Sequence, residues 1–453
     1  MKITFLGGTE TVTGSKYLLS FEDNKTVLID CGLFQGYKEL RLRNWNPLPF
    51  DPKNLSAVVL THAHIDHSGY LPLLVKNGFN GPIYSSKGTK ELCEILLPDS
   101  AHIQEEDAKQ ANKYGYSKHK PALPLYTISD AEKALKLFKP IAYGTKTTLF
   151  DNTYFQLIRS GHIIGSSFVK LNHQDKSILF SGDIGRMKDP VMNTPTFIQQ
   201  TDYLVLESTY GDRNHEKEHP KILLKNIINQ TLSRGGSIII PAFAVGRTQS
   251  ILHYLAELRS ENEIPNIPIF LDSPMAINAT KVLCRNRGDH HLNETQCREL
   301  CEAATYINTF QESMALDMQK SPKIIISASG MATGGRVLFH LKAYAVDARN
   351  TILFAGFQAG GTRGAAMLKG ATEIKIHGQR IPLRAHVEVV GNTSAHADSE
   401  EILTWLKHFD APPKKTFITH GEPKASLALQ NKIETVLGWN CMVPHYEQTE
   451  LLV

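Results

Sequence analysis

Cysteine is scarce in this sequence, and long apolar runs are missing. Six cysteines are spread over 453 residues without a framework of paired spacings. That excludes a small disulfide-stapled scaffold and fits reduced thiols in the cytosol. The one local concentration is Cys284, His290, His291, Cys297 and Cys301. It holds soft ligands but no C-x-x-C knuckle, so it reads as buried or idle cysteines rather than a structural zinc site. Apolar runs such as Ile238-Ile239-Ile240 fall far short of the ~20 residues that span a bilayer. The chain opens on Lys2–Gly8, a strand running into a glycine turn, without the basic and apolar regions of a secretory leader. A cytoplasmic location is therefore expected. Excess charge of one sign is missing too: 49 Lys+Arg against 45 Asp+Glu leave a net +4. Such a balance permits an anionic substrate without arguing for nucleic acid by itself. There are no internal repeats, low-complexity tracts or long linkers.

What is present is an ordinary globular composition, 42% hydrophobic and 21% charged, over a length that predicts two to three domains. Its most informative stretch is Thr61-His62-Ala63-His64-Ile65-Asp66-His67-Ser68-Gly69, directly after the apolar run Ala57–Leu60. The run predicts a buried strand, so the imidazoles and the carboxylate lie in the loop and first turn that leave it. Imidazole nitrogen and carboxylate oxygen both suit zinc. In so tight a loop four ligands cannot all reach one ion, but two pairs can face two neighbouring ions. The stretch reads as a dinuclear metal centre.

Further ligand types sit at the ends of other predicted strands. Asp30 closes Val27-Leu28-Ile29, His162 precedes Gly165-Ser166, and Asp183 lies between Gly182 and Gly185. Glu207 ends Tyr203–Leu206, and His420 follows Thr416–Thr419. His396 opens a helix. Residues 220–370 alternate strands with helices of ten or more residues, the pattern of a doubly wound parallel α/β sheet and a separate domain. Ligands in such sheets bind at the carboxyl ends of the strands, and the loops there include Pro241–Gln249, Asp272–Met275, Ser327–Met331 and Ala355–Gly364. Ser329-Gly330 offers backbone N–H groups and Arg336 a guanidinium, a candidate phosphate cradle together with Arg247.

The ordered set Asp30, His62-x-His64-x-Asp66-His67, His162 and Asp183 resembles the metallo-β-lactamase superfamily. Glu207, His396 and His420 match the additional motifs of its β-CASP subfamily of nucleic-acid-cutting enzymes. The resemblance extends through Glu207-Ser208-Thr209-Tyr210-Gly211, Pro241-Ala242-Phe243-Ala244, Asp272-Ser273-Pro274-Met275 and Ser329-Gly330-Met331. It is strongest to short bacterial and archaeal members related to the endonuclease subunit of the messenger-RNA 3′-end cleavage factor. It implies a four-layer αβ/βα sandwich with an inserted doubly wound parallel α/β domain. The corresponding boundaries are 1–208 for the first part of the lactamase-like domain, 209–370 for the insertion and 371–453 for the return segment. No KH domains are expected before the catalytic region, nor a ribonuclease J-type extension after it, and no aromatic-stacking RNA module is evident.

The same resemblance implies a zinc-dependent ribonuclease with two zinc ions, manganese being the alternative metal. His62, His64 and His162 would hold one ion and Asp66, His67 and His420 the other, with Asp183 between them. Asp30 would hydrogen-bond a ligand imidazole from behind. Asp66, Asp183, Glu207 and His396 would take part in catalysis, His396 as general acid and phosphate contact with Glu207 orienting it. Arg247, Ser329, Gly330 and Arg336 would grip the substrate backbone. The implied partner is RNA, with no membrane, and a homodimer is left open, as is endonuclease against 5′-to-3′ exonuclease action. A small-molecule hydrolase on the same fold and a DNA nuclease of the same subfamily are the competing readings. The large insertion argues against the first, and histidine at 420, where the DNA-cutting members tend to carry valine, argues against the second.

Overall fold

The computed structural model describes the chain except residues 116, 217, 357, 359 and 360; three of these fall in the predicted loop Ala355–Gly364 and so lie outside the described residues. The chain divides into two compact units, one of residues 1–188, 194–214 and 396–453, the other of residues 189–193 and 215–395.

The first unit is built on two seven-stranded sheets. One runs in the order Thr449–Leu451, Lys2–Phe5, Tyr17–Ser20, Thr26–Ile29, Ala57–Val59, Ile83–Ser85, Phe138–Pro140. The other runs Cys441–Met442, Lys415–Thr419, Tyr203–Glu207, Lys176–Phe180, Ser167–His173, Thr153–Arg159, Thr147–Phe150. Side chains alternate across a strand, so every second residue can enter a shared core. Ile3, Phe5, Leu19, Val27, Ile29 and Val59 of the first sheet meet Phe155, Leu157, Val169, Leu171, Ile178, Phe180, Val205 and Phe417 of the second. The intervening positions serve the opposite face: Phe168, Leu179, Leu204, Leu206 and Ile418 pack with Trp405, Leu406, Leu429 and Ile433 of the helices Ser399–Leu406 and Pro423–Leu437. Burial on both faces is why these strands read as continuous apolar runs rather than alternating ones.

Functionally the important feature is direction. Thr26–Ile29 and Ala57–Val59 are parallel, as are Lys176–Phe180, Tyr203–Glu207 and Lys415–Thr419. Parallel strands end on the same edge of their sheet, so Asp30, the 61–67 loop, Asp183, Glu207 and His420 all leave from carboxyl ends.

The second unit carries a six-stranded, all-parallel sheet in the order Thr305–Tyr306, Ile269–Asp272, Ile324–Ser327, Ile238–Pro241, Thr351–Ala355, His386–Val390. The isoleucine runs 238–240 and 324–326 form its centre and are fully buried. By contacts, this unit runs to Ala395. His386–Val390 pairs with Thr351–Ala355, and Ile374 and Ile376 of a small hairpin join the core of this unit. Among the described residues no helix is long and apolar enough to cross a membrane.

Candidate metal centre

The first unit gathers ligand-type side chains from six strand ends. Asp30 takes left-handed backbone, φ 58°, as the chain turns out of Thr26–Ile29. Two residues later Gly32 passes against the backbone of Asp66, where a Cβ would sit 1.6 Å from the Asp66 carbonyl oxygen. Only glycine admits that approach, and it lays the first strand's exit along the ligand loop. Gly185 does the same beside Gly161, its Cβ position lying 2.1 Å from that carbonyl oxygen. His420 is also left-handed, φ 50°, at the end of Lys415–Thr419. A non-glycine residue with positive φ is uncommon, and two of them here mark turns that aim side chains inward.

The ligand atoms form two sets. In the first, His62 Nε2 and His64 Nδ1 are 3.1 Å apart, and His162 Nε2 lies 3.3 Å from His64 Nδ1. Asp183 Oδ2 is 3.3 Å from His62 Nε2 and 3.5 Å from His162 Nε2. In the second, His67 Nε2 and His420 Nε2 are 3.2 Å apart, and Asp66 Oδ2 is 3.3 Å from His420 Nε2. Asp183 Oδ1 is 3.4 Å from His67 Nε2 and 3.4 Å from His420 Nδ1. One aspartate thus turns one oxygen to each set.

Four ligands at ~2.0–2.1 Å from a tetrahedral zinc stand about 3.3–3.4 Å from one another. The separations within the first set match that edge length, and the second set is looser, with His67 Nε2 3.9 Å from Asp66 Oδ2. Asp183 Oδ1 is buried and makes no hydrogen bond among the described residues, although a buried anionic oxygen normally demands a partner. The donor set therefore fits two divalent cations: His62, His64, His162 and Asp183 could hold one and Asp66, His67 and His420 the other, with Asp183 Oδ1 beside the second set.

Hydrogen bonds behind the ligands fix their tautomers. Asp30 Oδ1 accepts from Thr61 N at 2.7 Å, and its Oδ2 accepts from Thr61 Oγ1 at 2.8 Å and His67 Nδ1 at 2.7 Å. With its own proton given to Asp30, Thr61 Oγ1 accepts from His62 Nδ1 at 3.0 Å. These bonds occupy Nδ1 of both imidazoles and leave Nε2 of each as the atom that faces the centre. Thr209 plays the matching part for His420: its hydroxyl donates to Glu207 Oε2 at 2.6 Å and receives His420 Nδ1–H at 3.1 Å. Neither threonine stood out in the sequence as a site residue. Their only signal is position, Thr61 opening the histidine loop and Thr209 lying two residues beyond Glu207.

Electrostatics separate the imidazoles by role. Burial, with the neighbouring His67, lowers His62, and burial with the neighbouring His62 drives His64 down to about 3. His162 is pushed well down by burial and by His396. These rings are neutral, the form that binds a metal. His67 goes the other way: burial opposes its charge, but the carboxylates of Asp183 and Asp30 hold it well above the usual range. Against the same burial, the His420 hydrogen bond and His67 lower Asp66, and His420 and His67 lower Asp183, so both carboxylates are anionic.

Beside the first set lies a distinct pair. His396 Nδ1 is 3.1 Å from Glu207 Oε2 and 3.9 Å from Asp183 Oδ2. Burial works against its charge, but Glu207 first and Asp183 second raise it to about 9. Glu207 is fully buried and held by Ile184 N–H at 2.5 Å as well as by Thr209, whereas the His396 side chain keeps 18% exposure. The imidazole is the accessible partner.

The residues expected to grip phosphate belong to the second unit, and the structure gives each of them partners there. Arg336 pairs with Asp272 Oδ1 at 2.6 Å and donates to the carbonyls of Ile307 and Asn308. Arg247 donates to the carbonyl of Ala355 and lies over the Phe243 ring. Ser329 Oγ accepts from the N–H groups of Thr333 and Gly334, closing its own turn, and Gly330 packs against Phe243. Asp272, bound also by His340 and Ser313, is the hub of a buried polar network that the sequence did not disclose.

Residues 18–209 match the metallo-beta-lactamase superfamily domain, 248–367 the Beta-Casp domain and 380–444 the Zn-dependent metallo-hydrolase RNA specificity domain. The chain is 35% identical over 438 residues to Ribonuclease TTHA0252 of Thermus thermophilus, covering 95% of each. It is 31% identical over 462 residues to transcription termination factor FttA of Methanosarcina mazei, covering 96% of this chain and 69% of that protein. A crystal structure of a protein of unknown function from Enterococcus faecalis V583 shares the fold, with a TM-score of 0.53 at 12% identity over 100% of this chain and 99% of that one.

Proposed function

This chain belongs to the β-CASP branch of the metallo-β-lactamase superfamily, and on that premise we propose that it is a zinc-dependent ribonuclease. The observation that supports this most is the place of Asp183, one oxygen toward each ligand set, with the His396–Glu207 pair alongside. His62, His64 and His162 would hold one zinc and Asp66, His67 and His420 the other. When bound, the two ions supply Lewis acidity, acidifying a water and offsetting negative charge on a phosphodiester.

The chain's own groups account for the rest of the reaction. Neutral His62, His64 and His162 and the anionic Asp66 and Asp183 present lone pairs without first having to lose protons, whereas His67 must give one up. Asp30, Thr61 and Thr209 hold those rings in one tautomer. Glu207 receives His396 Nδ1–H, which turns Nε2–H outward and favours the charged ring. That Nε2–H hydrogen-bonds the scissile phosphate and passes its proton to the departing 3′-oxygen, giving a 3′-hydroxyl and a 5′-phosphate. The fixed carboxylate then steadies the ring through reprotonation.

The test is direct. Purified protein supplied with zinc or manganese is incubated with end-labelled RNA, the same sequence as DNA, and a chromogenic β-lactam. Cleavage of RNA alone, abolished by chelation, is the expected result; turnover of the lactam or DNA with RNA intact would sink the reading. Internal fragments against released mononucleotides distinguish endonuclease from exonuclease action.

A further inference from the structure

The second unit brings together thiols that the sequence leaves separate. Cys284 lies in the last turn of the helix Pro274–Arg285 and Cys301 in the last turn of Glu294–Glu302. Their sulfurs are 2.7 Å apart, and both side chains are partly exposed. Cys297, one turn before Cys301, is buried and faces His290 Nε2 at 3.8 Å.

Two chemistries draw cysteine sulfurs together, a shared soft cation and a disulfide. Thiolates on one tetrahedral zinc, each at ~2.3 Å, stand about 3.8 Å apart, well outside the spacing here. A zinc site also needs a third and fourth ligand. Among the described residues no three ligand atoms that include a cysteine lie within 4.8 Å of one another. The pair is thus too close and too poorly supported for a metal, while a disulfide needs only two sulfurs on facing elements.

We propose that Cys284 and Cys301 are a reversible oxidation site, closing to a disulfide that ties the ends of these two helices together. The oxidant is a hydroperoxide. One of the two cysteines, as thiolate, attacks the peroxide oxygen, forming a sulfenic acid and releasing hydroxide or alkoxide. The other sulfur then attacks the sulfenic sulfur, and its proton leaves with the displaced hydroxyl as water. The two thiols lose two electrons in all, and the peroxide gains them. The hydrogen bond between the sulfurs can run either way, so either thiol can open the sequence.

Trypsin separates all three cysteines, since Lys281, Arg285, Arg287, Arg298 and Lys320 flank them. The native protein is treated with a small excess of hydrogen peroxide, free thiols are blocked, and the digest is read without reduction. The expected product is peptide 282–285 joined to peptide 299–320, lighter by two hydrogens than the sum and released by dithiothreitol. The Cys297→Ser variant keeps that product, and Cys284→Ser and Cys301→Ser lose it. Recovery of both peptides as separate blocked thiols or separate sulfinic acids would overturn the proposal. So would linkage to peptide 288–298, or one equivalent of zinc that disappears in Cys284→Ser and protects the thiols until chelated. None of these readouts depends on nuclease activity, so the outcome is independent of the proposed function.

Discussion

Replacing Glu207 by Gln tests the electrostatic logic of the centre while changing almost no volume. The carboxylate accepts from Ile184 N–H, Thr209 Oγ1 and His396 Nδ1. A glutamine can keep the Ile184 bond with its carbonyl, which leaves an NH2 facing the hydroxyl and the imidazole. His396 then loses its acceptor and its largest source of positive bias. Holding the imidazole at about 9 instead of 6.5 corresponds to about 3 kcal/mol of preference for the charged ring, at ~1.4 kcal/mol per pH unit. Glu207 leads Asp183 and Asp66 in supplying it, and a share of roughly half is worth about one pH unit. Two bound dications push the ring down, so the carboxylate matters most in the loaded protein. The sign is fixed by chemistry: a general acid works only while protonated, so activity falls as pH rises through its pKa. The expected result is a basic limb of the single-turnover RNA-cleavage profile displaced about one unit toward lower pH, with metal content unchanged by elemental analysis. An unmoved limb would refute the role given to Glu207, and loss of metal would show that the residue serves the ligands instead.

His396→Ala should keep both metals and lower cleavage by roughly 10²–10⁴, the size of a lost general acid, with metal loss counting against it. His64→Ala removes one nitrogen of the first set, and metal stoichiometry and activity should fall together; full metal with no activity would contradict the ligand role. Thr61→Val breaks the relay from Asp30 to His62 and should weaken metal affinity about 10–100-fold by chelator competition without unfolding the protein. In the second unit, burial opposes the charge on His340, but bonds to Asp272 and Asp317 raise it above 6.5. Its stabilisation is complete below about pH 6.5 and is lost as pH rises through the raised value, so the melting temperature should fall over that window. His340→Gln should remove this pH dependence and cost about 3–5 kcal/mol, as expected when a buried ion pair loses one member.

The sequence disclosed what is local. A buried parallel strand announces itself as a short apolar run, and a polar residue after it lies at a sheet edge whatever the topology. Asp30, His62, Asp183, Glu207 and His420 could all be found that way. Pairing between distant segments carries no such mark. His386–Val390 looks like any half-exposed strand, and nothing local tells that it joins Thr351–Ala355. Arg336 looked free for phosphate because its partner Asp272 comes from 64 residues earlier. The threonines that set tautomers are missed for the same reason: a hydroxyl in a loop is ordinary until its neighbours are known.

The first strand, Lys2–Phe5, is seated between Tyr17–Ser20 and the late strand Thr449–Leu451, and the carbonyl of Gly8 receives the N–H of His420. A ribosome releases the opening residues long before their closing neighbours exist. During that interval one edge of the first sheet stands open to stray strand pairing. Under the proposed function, residues 1–395 hold most of the metal-binding side chains, and the proposed proton donor His396 and the last imidazole, His420, join them only afterwards.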